Sequence, residues 1–173
     1  RYAMHVKGLE LPAYDPRGLC GQALAYATSN RGGCHLRAYM VSMEVLGKPK
    51  LIDRFTFTGK PALVALFQNL SAAIDSLALC RFSMLALSEE EYADLLSAAV
   101  GEEISSQDLL IAGERIWNLE RLFNLREGFT SKDDTLPERF FSSDGLSRKD
   151  FELALKEYYQ IRGWSSEGVP ERA

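Results

Sequence analysis

Between Ser105 and Gly128 the apolar residues Leu109, Ala112, Ile116, Leu119 and Phe123 recur every three or four positions. That interval is the period of an α-helix and not the alternation of a strand. Ser105 supplies the start signal and Gly128 the stop; at 1.5 Å per residue the helix would be about 33 Å long. Four further segments are punctuated in the same manner. Asp15-Pro16 opens a helix with Leu19, Ala23, Tyr26 and Ala27 on one face, and Asn30-Arg31-Gly32-Gly33 stops it near Ser29. Gly59-Lys60-Pro61 opens another, with Leu63, Phe67, Leu70, Ile74 and Leu77 directed at the core. Ser88 and Glu91 make a capping box for a helix ending at Gly101. Ser147 to Asp150 reads as a second box, and the helix behind it buries Phe151, Leu155 and Tyr158 and stops at Gly163. The opening residues through Pro12 read as extended chain or loop, residues 34–58 as helix turn or loop, and Ser131–Phe141 as irregular. Phe55–Thr58 look strand-like, but one run makes no sheet. Five helices without a persuasive sheet predict an all-α, multihelical class.

Of the 173 residues, 46% are apolar and 25% charged, enough for one domain with a real core or two small ones. The net charge is −4 and no basic block occurs, so a nucleic-acid surface is not indicated. The most apolar stretch, Pro61–Leu87, is interrupted by Gln68, Asn69, Ser71, Asp75 and Ser76 and reads as buried rather than membrane-spanning. Cys20, Cys34 and Cys80 are too few and too odd for a disulfide framework, which points to a reducing, cytoplasmic setting. No CxxC, HExxH or CxxH occurs, so a complete metal site from this chain alone is not expected. The sequence begins at Arg1 with no signal peptide after it, and reads as starting inside something longer.

A few residues could carry chemistry. Gln68, Ser71 and Asp75 form a polar seam on an otherwise apolar helix; such a seam faces solvent or lines a polar cavity. Asp75 is a solvated surface carboxylate or one that grips N–H groups of a ligand. A lone cysteine such as Cys80 is ordinarily a small apolar residue. Five residues separate the two, about 500° of helix, so both serve one site only if the helix ends or distorts near Leu79. In Arg31-Gly32-Gly33-Cys34-His35-Leu36-Arg37 the glycines permit close backbone approach. His35 could move protons near neutral pH or simply stabilise a turn, and Arg37 could meet an anion or water. Cys20 and Cys34 read as structural.

Six segments, in order and covering nearly the whole chain, resemble the C-terminal part of the tungsten-containing aldehyde ferredoxin oxidoreductase family. They are Val6–Gly18; Ala25–Gly33 with Cys34-His35-Leu36-Arg37; Asp75–Cys80; Arg115–Arg121 leading to Asn124–Phe129; Asp133–Pro137; and Tyr158-Tyr159 with Arg162-Gly163-Trp164. The resemblance implies a C-terminal helical domain over 1–173, with the N-terminal tungstopterin-cradling domain absent. It implies oxidation of aldehydes to carboxylic acids with ferredoxin as electron acceptor, through tungsten or molybdenum held by two pterins and a [4Fe–4S] cluster. Both cofactors would be incomplete here, so the isolated chain would be inactive. Cys80 matches the last of four cluster ligands. Asp75 and Leu79 match the pterin-binding Asp-x-x-Gly-Leu-Cys motif, Arg37 a basic position near the pterin, and His35 an active-site histidine near the metal. The implied partners are ferredoxin, a small aldehyde and the chain's own N-terminal domains, with neither nucleic acid nor membrane and with room for a homo-oligomer. A non-catalytic helical interaction module descended from the same fold is the alternative. One departure stands out: the motif's glycine is Ala78. If the glycine supplies positive φ, Ala78 bears a cost at that turn.

Overall fold

The structure, a computed structural model, describes residues 2–142 and 144–171. Among the described residues six α-helices surround two cores, and the one sheet is a two-stranded hairpin. The helices are α1 (Cys20–Thr28), α2 (Val41–Glu44), α3 (Lys60–Ser76), α4 (Glu89–Val100), α5 (Ser106–Arg126) and α6 (Arg148–Arg162). Helix α3 is the centre: α1, α5 and α6 pack on it, and α4 packs on α5. The larger core joins Tyr26, Val64, Trp117, Phe151 and Tyr158; a smaller one gathers Ile74, Tyr92 and Leu109 at the far end of α3.

The stop signals act as their chemistry dictates. Gly101 and Gly163 close α4 and α6 at φ 78° and 63°, where a Cβ is disfavoured. Ser88 and Ser105 each complete a reciprocal capping box, and Ser147 accepts from the Asp150 backbone.

Other expectations shift. The opening segment folds into a hairpin of β1 (His5–Val6) and β2 (Leu9–Glu10). Its two-residue turn, Lys7-Gly8, lies at positive φ at both positions, the geometry that matches strand twist. Asp15-Pro16 starts a 3-10 turn (Pro16–Gly18), not the helix itself; the Asp15 carboxylate caps the Arg17 N–H and α1 begins four residues later. His35–Arg37 is a second 3-10 turn, and Phe55–Thr58 forms no strand. A short helix, α2, was not anticipated.

The largest correction concerns which faces are buried. On α5 the inward face is Leu109, Gly113, Trp117, Asn118 and Arg121, whereas Leu119 is 69% and Phe123 55% exposed. Gly113 explains the rotation. A Cβ there would stand 2.0 Å from the Asn69 carbonyl oxygen, so glycine is what allows α5 to lie against the α3 backbone. On α3 the seam is likewise not solvent-facing: Gln68 and Ser71 are fully buried. Gln68 receives a hydrogen bond from the Tyr158 hydroxyl (2.6 Å) and from Arg162 Nη2 (2.8 Å), and donates to Thr28 Oγ1 (2.9 Å). Only Asp75, at the end of the seam, reaches the surface.

A second buried polar cluster ties the chain's two ends. Asp134 pairs with Lys7 (2.7 Å) and Arg121 (2.8 Å) and accepts from the Tyr159 hydroxyl (2.5 Å). Arg121 Nε also donates to the Gly168 carbonyl in the tail. Burial pushes the Lys7 ammonium below its ordinary pKa, and Asp134 opposes that shift. Removing the one carboxylate strands two buried cations. Asp134→Ala is therefore expected to destabilise the chain by about 3–5 kcal/mol, measured by urea denaturation.

Candidate functional site

Helix α3 stops where the sequence requires it to stop if Asp75 and Cys80 are to serve one site. The last helical residue is Ser76, Leu77 caps it, and Ala78 turns the chain at φ 56°. The left-handed region costs an L-residue with a Cβ roughly 1–2 kcal/mol. Alanine thus holds a conformation suited to glycine, and the backbone reverses there. Leu79 and Cys80 emerge on the surface, and a 3-10 turn follows over Arg81–Leu85. Cys80 is an exposed free thiol at the head of that turn, whereas Cys20 and Cys34 are buried. Burial, with Glu44 adding to it, pushes the Cys20 thiol up to about 11, in keeping with an inert packing role.

Asp75 stands between two arginines. Arg37 Nη1 donates to Oδ2 at 2.8 Å and Arg81 Nη1 to Oδ1 at 3.2 Å. The same Arg81 nitrogen donates to the Ser71 carbonyl, binding the 3-10 turn back onto α3. Arg37 comes from the His35–Arg37 turn and Arg81 follows Cys80, so the bridge carries a continuous line of contacts from the histidine segment to the cysteine segment. Arg81 is only partly used: its Nε and Nη2 are buried and lack a hydrogen-bond partner among the described residues.

His35 lies at the edge of an aromatic triangle. Its ring centroid is 5.2 Å from Tyr14 and 5.9 Å from Tyr39; those two rings meet edge-on at 6.0 Å, with their hydroxyls 3.2 Å apart. Burial, and secondarily the Arg81 guanidinium, push the imidazole below its ordinary value of 6.5. Burial and the Tyr14 hydrogen bond push the Tyr39 phenol up to about 12. At neutral pH the site therefore presents a neutral imidazole beside the protonated phenol of Tyr39.

Of the residues singled out from sequence, Arg37 and Asp75 are in direct contact, His35 shares the turn of Arg37, and Leu79 and Cys80 lie on the strand of chain that Arg81 anchors. Sequence reasoning missed Arg81, Tyr14 and Tyr39. The signal for Arg81 was its place directly after the cysteine; for the tyrosines no local pattern existed, since Tyr14 and His35 are 21 positions apart. Among the described residues, no group of three or more His, Cys, Asp or Glu could hold a metal ion.

A family model described as aldehyde ferredoxin oxidoreductase, domains 2 and 3, matches residues 1–173. A tungsten-containing aldehyde ferredoxin oxidoreductase of Thermococcus kodakarensis is 48% identical over 176 aligned positions, covering 96% of this chain and 29% of the relative. Its counterparts in Pyrococcus furiosus and Pyrococcus horikoshii are 49% and 48% identical, over 96% and 98% of the chain and 29% and 30% of the relatives. The chain thus spans less than a third of the curated relatives' length. Among solved structures, the active-site complex BamBC of benzoyl coenzyme A reductase with 1,5-dienoyl-CoA superposes with a TM-score of 0.58 and 22% identity, over 76% of this chain and 20% of that one. That likeness is one of fold.

Two outcomes test the site's local physics. Ala78→Gly should raise the unfolding free energy by about 1 kcal/mol, because relief of the left-handed strain exceeds the added entropy of an unfolded glycine; thermal melts would register it. The His35 imidazole should titrate below 6.5 by NMR, and Arg81→Ala should move its midpoint upward. The sign for stability follows. As pH falls below 6.5 the unfolded chain takes a proton that the folded site does not, so His35 lowers stability between 6.5 and its folded value and contributes nothing above 6.5.

Proposed function

Because the chain belongs to the aldehyde ferredoxin oxidoreductase family, we propose that it forms one wall of a tungstopterin and iron–sulfur centre in a longer oxidoreductase. The observation that carries this reading is the end of α3. There a reversed turn at Ala78 sets an exposed thiol one residue before an arginine that bridges, through Asp75, to the histidine-bearing turn. In this proposal the reaction is oxidation of an aldehyde to a carboxylic acid, with ferredoxin taking the electrons, in the cytoplasm.

The residues present fit the cofactors as a partial lining. Cys80 offers a single thiolate through Sγ, one of the four ligands a [4Fe–4S] cluster takes, and the other three come from the remainder of the polypeptide. Asp75, already accepting two charge-assisted hydrogen bonds, keeps lone pairs for the N–H groups of a pterin. The Arg37 guanidinium touches it, and the Leu79 backbone would add a further pterin contact. The bound metallopterin would supply the two-electron chemistry, with tungsten or molybdenum as the metal.

What this chain's own residues do can be derived more closely. The neutral imidazole of His35 carries a proton on one ring nitrogen and a lone pair on the other, so it can hydrogen-bond the aldehyde oxygen or relay a proton from it. Tyr14 and Tyr39 pack against its ring at tilted angles of 58° and 59° and limit its rotation. Burial, and secondarily Arg81, favour the neutral imidazole, and Arg81 holds the cysteine-bearing turn against α3.

Two preparations test the reading against the non-catalytic module. The isolated 173-residue chain should take up no stoichiometric cluster when reconstituted with iron and sulfide; a stable [4Fe–4S] signal would contradict the one-ligand assignment. In the parent enzyme, Cys80→Ser should abolish the cluster's electron paramagnetic resonance while leaving the circular dichroism unchanged, since the thiol is exposed. A variant that retains the cluster sinks the proposal.

A further inference from the structure

Helix α5 carries apolar side chains beyond the face it buries. Leu109, Gly113 and Trp117 face the core, yet the ridge Leu119–Phe123, one helical turn apart, stands in the open at 69% and 55% exposure. An exposed apolar ridge beside polar groups marks an interface. The ridge borders a cavity of about 360 Å³ that Asn30, Arg31, Arg37 and Glu120 also line. Two groups there await a partner. Among the described residues the buried Asn30 side-chain oxygen has no hydrogen-bond partner, while its amide nitrogen donates to the Trp117 carbonyl and to Glu120. Among the described residues no carboxylate pairs with Arg31, whose guanidinium reaches only the Cys34 sulfur, at 3.9 Å. Arg37 joins this cavity to the Asp75 bridge, so ridge and candidate site form one continuous surface.

We infer that the Leu119–Phe123 ridge and its Arg31 pocket are the seat of a segment from the remainder of this enzyme's own polypeptide, one that sets an apolar side chain against the ridge and a carboxylate against Arg31. The chain's span of 29–30% of its relatives makes that remainder the occupant of choice over a second copy, and a buried ion pair at Arg31 would orient the docking. This uses the family membership for chain length alone, and it stands or falls independently of any cofactor role for Cys80 or His35.

Hydroxyl-radical footprinting with peptide mass mapping tests it, comparing the 173-residue chain with the full-length polypeptide from the same gene, each at two concentrations. Leu95 and Leu153, exposed on α4 and α6, serve as internal controls. The expected result is ready oxidation of Leu119 and Phe123 in the short chain and its loss in the long one at both concentrations, with the controls oxidised throughout. Restored oxidation of the ridge in full-length Arg31→Ala, beside unchanged circular dichroism, would support the charged contact. Equal oxidation in both polypeptides overturns the inference. So does protection that grows with concentration of the short chain, which assigns the face to a second copy, and so does a gene that encodes no further polypeptide.

Discussion

Four helices meet on one buried guanidinium. Arg162, at the last turn of α6, donates from Nε to the Tyr158 hydroxyl, from Nη1 to the Asn69 side chain, and from Nη2 to the Ala65 carbonyl and to Gln68. Its flat faces lie 5.4 Å from the ring centres of Trp117 and Tyr158. Trp117 in turn donates to the Tyr158 hydroxyl, and Gln68 to Thr28, whose own hydroxyl closes on the Leu24 carbonyl of α1. These contacts join α1, α3, α5 and α6 through directional bonds that permit one register. Hydrophobic burial alone would hold the helices together while leaving their rotation loose; the guanidinium fork and the phenol fix it. The position of α3, and with it the place where Asp75 breaks surface, follows from that registration.

This explains what could and could not be read in the sequence. Helix starts and stops are local events, and Ser88, Ser105, Gly101 and Gly163 announced them with their own side chains or lack of one. Which face a helix buries is not local. The stripe through Leu119 and Phe123 has the right period, but Gly113 lets a different face of α5 lie against α3, and Trp117 and Arg121 follow it inward. Gln68 read as part of a seam facing solvent or lining a polar cavity because pattern counts it polar; its partners, Tyr158 and Arg162, lie some ninety residues downstream. Buried polar networks of this sort are paid for by pairings that no window of sequence contains.

At the candidate site the legible part was the set of residue types and the demand that α3 end before Leu79. Its solution, a left-handed alanine, was foreseeable only as a cost. Arg81 had only its place after the cysteine to mark it, with no periodic signature, yet it touches Asp75, anchors to Ser71 and acts electrostatically on His35. The Tyr14–His35–Tyr39 triangle depends on the 3-10 turns at Pro16–Gly18 and His35–Arg37, which set aromatic rings from two loops side by side.

The Asp134 cluster carries a mechanical consequence. Lys7 belongs to the opening hairpin, and Gly168, held by Arg121, lies near the closing tail, so both extremities of the described chain are fastened to one carboxylate and its guanidinium. A tether pulling the ends apart would load this clasp before it loaded any helix pair, and charged hydrogen bonds shielded from water resist such a load better than a frayed terminus does.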